Sequence, residues 1–150
     1  MSDCLFVYGT LRPSAGTAWS KELLRASRNY QPARMAGVLY DLGRYPGMVR
    51  GGSGWVSGEV VRLRDPEPMF RQLDAYEGGE FRRVPARAIT RTRVVGCWVY
   101  VYDGPRCGNV RIPGGDYLFG LADNENSVSS GRSRRPSGYG CLRYIRRSAY

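Results

Sequence analysis

The 150-residue chain contains no histidine and a single lysine, Lys21, although it carries 22 arginines. Without imidazole, a Ser-His-Asp or Cys-His catalytic triad is excluded, and so are the zinc sites that depend on histidine. A side chain that transfers protons near neutral pH must then be a carboxylate with a raised pKa, a lysine, a tyrosine or a thiol. We expect a carboxylate, because lysine is so scarce.

The cysteines and the apolar segments exclude further classes of protein. Cys4, Cys97, Cys107 and Cys141 form no CxxC pair, so we expect neither a structural nor a catalytic metal. No apolar run reaches the roughly 18 to 20 residues that span a bilayer. The first residues also lack the basic stretch followed by a long apolar segment that is typical of a signal peptide. We therefore expect a soluble, cytoplasmic protein with no membrane partner and with reduced thiols, in which Cys4 and Cys97 are core residues.

The formal net charge of +10 suggests nucleic-acid binding, since clustered Arg and Lys neutralise phosphates. The basic residues are instead spread along the whole chain, and no known binding motif accompanies them. We interpret them as a solvated surface and do not expect nucleic acid as a partner. The sequence carries no signal for an oligomeric state.

The character of the sequence changes at Asp123, where it becomes low in hydrophobicity and rich in Ser, Gly and Arg. Residues 1–122 have a net charge of +6, and the last 28 residues have +4. We predict one domain over residues 1–122 and a basic, flexible C-terminal tail over residues 123–150.

Short apolar runs with aromatic and β-branched members predict strands, and Gly and Pro mark their ends. Pro46-Gly47 indicates a tight turn, and Gly58 inside a strand indicates a bulge or a close backbone approach. The predicted strands cover residues 5–8, 35–40, 55–63, 84–95 and 96–102.

Two helices are predicted. The first covers residues 20–28, with Ser20 as its N-cap. The second lies between Asp65, a suitable N-cap, and the double glycine at 78–79, and it has Pro66 at its first position. Short strands with two helices predict an α+β domain built on a small, mostly antiparallel curved sheet or barrel.

The segment Tyr8-Gly9-Thr10-Leu11 ends the first predicted strand abruptly. Its Gly-Thr pair lets the backbone turn sharply and leaves the N–H groups of Gly9, Thr10 and Leu11 without ladder partners. Such groups can hold a carboxylate or a carbonyl oxygen. The alternative is an ordinary turn that the threonine hydroxyl caps.

The segment Leu73-Asp74-Ala75-Tyr76-Glu77-Gly78 places a carboxylate, Glu77, in the last turn of the second predicted helix. The negative end of the helix dipole favours the protonated form of Glu77 and raises its pKa. A protein without histidine needs such a group to transfer protons at neutral pH. The alternative is that Glu77 is only exposed at a frayed helix end.

Together with three other segments, these two features resemble the γ-glutamylcyclotransferase-like family, which includes the γ-glutamylamine cyclotransferases and the plant avirulence-induced proteins. The five segments follow the order of the family, and the resemblance covers about residues 4–118. They are Phe6 to Leu11, Gly37 to Tyr40 with Tyr45 to Gly47, Val56 to Val60, Leu73 to Gly78, and Trp98 to Tyr102.

The resemblance implies a small mixed, mostly antiparallel β-barrel flanked by short helices, whose cavity takes a γ-glutamyl substrate and releases 5-oxoproline without a cofactor. Tyr8 to Leu11 match the substrate-binding loop of the family, and Glu77 matches its general base and acid. Glu59 is the rival proton carrier, or else a structural residue. Alternation along the last strand predicts that Tyr100 or Tyr102 faces the cavity.

The alternative to an enzyme is a non-catalytic protein of the same fold, which uses its cavity or its arginine-rich surface to bind a ligand or nucleic acid. The enzyme predicts release of 5-oxoproline that depends on Glu77. The binding protein predicts salt-dependent binding to nucleic acid that is lost when residues 123–150 are deleted.

Overall fold

The computed structural model describes residues 2–105 and 110–117, so the predicted tail at 123–150 lies outside the described residues. Short 3-10 turns lie at Pro13–Ala15, Gly78–Glu80 and Pro113–Gly115. The strands and helices are β1 (Cys4–Val7), α1 (Ala18–Arg25), β2 (Ser27–Asp41), β3 (Pro46–Leu63), α2 (Pro66–Glu77), β4 (Phe81–Thr90), β5 (Val94–Tyr102) and β6 (Val110–Arg111).

Strands β1 to β5 close into a barrel. Their order is β3-β1-β5-β4-β2, and the long pairing of β2 with β3 completes the ring, while β6 adds to β2. β1 runs parallel to β5, and the other pairs in the described part of the chain are antiparallel. The structure therefore confirms the α+β class and the mixed, mostly antiparallel barrel flanked by helices.

The barrel wall separates two apolar cores, because side chains alternate along each strand. Phe6 and Tyr8 belong to the core inside the barrel, with Cys97 and residues of all five strands. Leu5 and Val7 belong to the core between the wall and the two helices. Apolar side chains thus fill the interior of the barrel, and Cys97 is the buried core residue that the sequence predicted.

The first helix begins earlier than predicted. Its N-cap is Thr17, whose Oγ1 accepts a hydrogen bond from the N–H of Ser20 at 3.0 Å. Ser20 is therefore inside the helix and not its N-cap, and residues 27–28 already belong to β2. The prediction was wrong because threonine and serine are both preferred N-cap residues and the sequence offers both. No helix among the described residues is long and apolar enough to cross a bilayer.

The second helix follows its prediction closely. Pro66 is its first residue and Gly78 follows its last, as the sequence indicated. Asp65 occupies the N-cap position, although its side chain makes no capping hydrogen bond. The end of this helix is important for the site, because it fixes where Glu77 lies.

The predicted strand at 84–95 is wrong, because a turn at residues 91–93 divides it between β4 and β5. Both the N–H and the Oγ1 of Thr90 donate to Arg93 O, at 2.8 and 3.0 Å. Alternation of apolar residues with arginine continues through the turn in the sequence, so periodicity alone does not reveal it.

The predicted turn at Pro46-Gly47 is also wrong, because these residues begin β3. The chain reverses just before them, where the N–H of Leu42 donates to Tyr45 O at 3.0 Å. The close approach predicted at Gly58 is confirmed, since a Cβ there would lie 2.1 Å from Val7 O. Gly58 thus allows β1 to lie tightly against β3.

Candidate active site

A pocket opens where the loop after β1 faces the last turn of α2. About 400 Å³ of space lies between its atoms, including the mouth that is open to solvent. The structure thus brings the loop residues Tyr8 to Leu11 together with Glu77, as the sequence predicted. The lining residues are Phe6 to Leu11, Tyr45, Pro46, Tyr76, Glu77, Phe81 and Tyr100.

Glu77 is the last residue of α2 and contributes the only carboxylate to this lining in the described part of the chain. Burial raises its pKa from 4.5 to about 8, and the negative charge of Asp74, one helical turn earlier, adds to the effect. Within residues 2–105 and 110–117 the carboxylate has no hydrogen bond and no ion pair. Glu77 is half-buried in the pocket wall, so the interpretation of it as an exposed helix end is wrong. The leading cause of its raised pKa is burial, whereas the sequence argument relied on the helix dipole.

The loop after β1 carries backbone donors without partners. The N–H groups of Gly9, Thr10 and Leu11 make no hydrogen bond to the described residues. The turn is closed by the N–H of Arg12, which donates to Gly9 O at 3.0 Å, and the Thr10 hydroxyl does not cap it. The three N–H groups can therefore donate to a carboxylate or carbonyl oxygen in the pocket.

Contacts on two sides fix this loop. Gly9 lies so close to Pro46 that a Cβ at Gly9 would be 2.5 Å from Pro46 Cγ. On the other side, Thr17 Oγ1 donates to Thr10 O at 2.7 Å and so joins the loop to the start of α1. The loop is therefore positioned before any ligand arrives.

Arg12 forms a buried ion-pair cluster behind the loop. Its Nε and Nη2 donate to the two carboxylate oxygens of Glu59 at 2.8 and 2.9 Å, and its Nη1 donates to Asp116 Oδ1 at 2.9 Å. The side chains of Arg12 and Glu59 are only 10% and 13% exposed. Glu59, the rival proton carrier, is thus paired, is not among the pocket-lining residues and acts as a structural residue. Sequence reasoning missed this cluster, because Arg12 and Asp116 lie 104 positions apart.

Tyr8 and Tyr100 connect the loop to the barrel wall. The Tyr8 hydroxyl donates to Tyr100 O at 2.6 Å and accepts from the N–H of Met48 at 3.2 Å. Burial raises the pKa of Tyr8, so its phenol stays neutral. Of the two tyrosines considered from the sequence, Tyr100 lines the pocket, while Tyr102 packs in a separate cluster.

A second ion pair lies one helical turn before the pocket carboxylate. Arg83 donates through Nε and Nη2 to the two oxygens of Asp74, at 2.9 and 3.0 Å, and the Tyr100 hydroxyl donates to Asp74 Oδ1 at 2.6 Å. These contacts lower the pKa of Asp74, so it stays ionised at neutral pH. The Arg83 guanidinium also lies over the rings of Phe70 and Trp98, at 4.4 and 4.6 Å from their centroids.

Known proteins share this sequence and this fold. Residues 5–119 match the sequence model of the family "Gamma-glutamyl cyclotransferase, AIG2-like". The γ-glutamylcyclotransferase family protein YtfP of Escherichia coli K12 is 39% identical over 121 residues, which cover 76% of this chain and 95% of YtfP.

Solved structures agree with this result. The solution structure of YtfP from Escherichia coli superposes with a TM-score of 0.54 at 35% identity, over 77% of this chain and 96% of that one. The crystal structure of an AIG2-like protein from Mus musculus gives a TM-score of 0.55 at 24% identity, over 66% of this chain and 76% of that one. The mouse protein thus shares the fold.

Proposed function

Because the chain belongs to the AIG2-like γ-glutamyl cyclotransferase family, we propose that it is an enzyme that cyclises a γ-glutamyl substrate and releases 5-oxoproline and a free amine or amino acid. One observation carries the proposal. Glu77, a carboxyl whose burial raises its pKa to about 8, lines the same pocket as the N–H groups of residues 9–11, and neither the carboxyl nor these N–H groups have a partner among the described residues. The reaction needs no oxidant or reductant, because one amide bond forms as another breaks and no atom changes its oxidation state. Both reacting groups belong to the substrate, so ring closure takes place within one molecule.

The pocket offers complementary groups for the head of a γ-glutamyl substrate. The N–H donors of residues 9–11 suit an oxygen of the α-carboxylate or of the γ-carbonyl. The positive α-ammonium suits the carboxylate of Glu77. Because a nearby cation favours the ionised form of an acid, the bound substrate promotes the deprotonation that burial opposes.

Glu77 carries protons in both halves of the proposed reaction. Its carboxylate takes a proton from the α-ammonium, and the freed amine attacks the γ-carbonyl carbon, which closes a five-membered ring and leaves an oxyanion. Loop N–H groups donate to this oxyanion. Glu77 returns the proton to the leaving nitrogen, and the bond between that nitrogen and the carbonyl carbon breaks as the carbonyl re-forms. Glu77 then transfers one of the two protons on the ring nitrogen to the departing amine. In the whole reaction, one C–N bond forms and one breaks.

Release of 5-oxoproline from a panel of γ-glutamyl amines and γ-glutamyl amino acids, measured by mass spectrometry, tests the proposal. Glu77→Gln keeps the shape of the side chain but cannot carry a proton, so we expect kcat to fall by about 10²-fold or more. Glu67→Gln, at the exposed start of α2, is the matched control and is expected to keep full activity.

Two results would contradict the proposal. Equal activity of Glu77→Gln and the wild type would exclude Glu77 as the proton carrier. A wild-type protein that binds members of the panel but releases no 5-oxoproline would be a non-catalytic binding protein of this fold.

A further inference from the structure

Two carboxyl groups at the end of α2 lie one helical turn apart and differ in their hydrogen bonding. Asp74 accepts three hydrogen bonds, two from Arg83 and one from Tyr100. Glu77 accepts none from the described residues. Groups three positions apart on a helix lie on the same side, with about 5 to 6 Å between their Cβ atoms. The charge of Asp74 therefore acts directly on Glu77.

The cation that holds Asp74 is itself held firmly. The guanidinium of Arg83 lies over two aromatic rings, those of Phe70 on α2 and Trp98 on β5. The Arg83 side chain is 23% exposed. For comparison, Arg71 pairs with Glu67 at 4.0 Å on α2, and its side chain is 73% exposed. The planar fork of Arg83 donates to both carboxylate oxygens, a geometry that fixes orientation as well as distance.

Tyr100 connects the Asp74–Arg83 ion pair to the loop after β1. Its hydroxyl donates to Asp74 on α2, while its backbone carbonyl accepts from the hydroxyl of Tyr8 at the start of the loop. One residue of β5 thus contacts both sides of the pocket. A shift of Asp74 would change the position of α2 relative to the loop.

Building on the proposed function, we propose that Asp74 is a positioning residue of the site, whose carboxylate, clamped by Arg83 and Tyr100, fixes the last turn of α2 against the loop and keeps a negative charge beside Glu77. Asp74 does not touch the reacting atoms in this proposal. It acts through Glu77, by setting where that carboxyl lies and how strongly it holds its proton.

The proposal predicts that two substitutions in the same ion pair have opposite effects. Asp74→Asn removes a negative charge, so Glu77 ionises more easily. Arg83→Met removes the cation that partly neutralises Asp74, so Glu77 ionises less easily, while the methionine still covers the rings of Phe70 and Trp98. Loss of a purely structural contact would affect both variants in the same direction.

The other titratable groups that face Glu77 do not disturb this comparison. In the described part of the chain, the titratable side chains that line the pocket with Glu77 are Tyr8, Tyr45, Tyr76 and Tyr100. Burial raises the pKa of Tyr8 and of Tyr100, so both stay neutral through the range in which Glu77 titrates. Asp74, with Arg83 behind it, is therefore the charged neighbour that the experiment changes.

The test measures kcat/KM against pH for 5-oxoproline release by the wild type and the two variants. The acidic limb of this profile reports the ionisation of the free enzyme. We expect it to move by about one pH unit to lower pH in Asp74→Asn and to higher pH in Arg83→Met. We also expect kcat of Asp74→Asn to fall about 10-fold at its own optimum, because Glu77 loses its position.

Conservative variants separate charge from packing. Arg83→Lys keeps the cation and is expected to restore the wild-type position of the acidic limb. Glu67→Gln and Arg71→Gln break the exposed ion pair of the same helix and are expected to leave the limb unchanged. Acidic limbs that move in the same direction in Asp74→Asn and Arg83→Met, or that do not move, would overturn the proposal.

A titration without substrate distinguishes this proposal from the proposed function. The ¹³C NMR signal of the Glu77 carboxyl, assigned with Glu77→Gln, is followed against pH in the wild type, Asp74→Asn and Arg83→Met. Opposite shifts in the two variants support the role of Asp74 even if no member of the panel releases 5-oxoproline, a result that would refute the function alone. Identical titration in all three proteins refutes the role of Asp74 even if the enzyme is active.

Discussion

We expect Glu77→Gln to be more stable relative to the wild type at alkaline pH than at acidic pH. The carboxyl has an ordinary pKa of 4.5, which applies in the unfolded chain, and burial raises it to about 8 in the folded protein. Between these values the folded state holds a proton that the unfolded state has released, so the free energy of unfolding of the wild type falls as pH rises. Glutamine does not ionise and lacks this dependence.

The size of the effect follows from the difference in pKa. A rise from 4.5 to about 8 corresponds to about 5 kcal/mol, at about 1.36 kcal/mol per pKa unit. Water at the mouth of the pocket screens part of the charge, so we expect the stability of Glu77→Gln to gain about 3 to 5 kcal/mol on the wild type between about pH 4 and about pH 9. This is a large part of the roughly 5 to 15 kcal/mol that stabilises a typical domain.

Urea unfolding of both proteins at a series of pH values, followed by circular dichroism, gives the two free energies of unfolding. Their difference isolates Glu77, because the other titrating groups contribute alike to both. Glu67→Gln removes the carboxylate of a side chain that is 86% exposed in the wild type, and it is the control for the loss of an acidic group on the same helix. A difference for Glu77→Gln that does not change with pH would refute the argument that the fold raises the pKa of the Glu77 carboxyl.

Three further predictions concern contacts that hold the pocket together. Arg12→Met leaves two partly buried carboxylates without their cation, so we expect a loss of about 3 to 5 kcal/mol in urea unfolding; a loss below about 1 kcal/mol would contradict the cluster. Tyr8→Phe leaves a buried carbonyl and a buried N–H without the hydroxyl that joins them, and we expect a loss of about 1 to 3 kcal/mol, with an unchanged Tm as the contrary result. Gly58→Ala places a methyl group 2.1 Å from Val7 O and is expected to disrupt cooperative unfolding, whereas Gly79→Ala has open space and is expected to fold normally.

The parts of the fold with local signals were predictable from the sequence. Proline and glycine bracket α2, and the apolar run at residues 5–8 marks β1, because these features depend on residues close together in the chain. The turn at 91–93 was missed because the alternating pattern runs through it. Gly58 was recognised because a glycine inside a strand has few other uses.

The electrostatics of the site depend on contacts that the sequence does not encode locally. Asp74 meets Tyr100 from 26 positions away, and Arg12 meets Glu59 from 47 positions away. A single sequence contains no sign of which arginine lies beside which carboxylate. The raised pKa of Glu77 was predicted in the right direction, but its leading cause, burial in a pocket, exists only in the folded chain.

Although the chain has 22 arginines, those that the structure places around the pocket pair with carboxylates other than Glu77. Arg12 pairs with two carboxylates behind the loop, and Arg83 pairs with Asp74 beside the helix end. In the part of the chain that the structure describes, Glu77 has no such partner. An arginine at ion-pairing distance would lower its pKa and make its carboxylate a weaker base, so in the proposed reaction it would take a proton from the α-ammonium less readily. Because histidine is absent, the proton affinity of this site depends on keeping arginine away from a single acid while the neighbouring acids are neutralised.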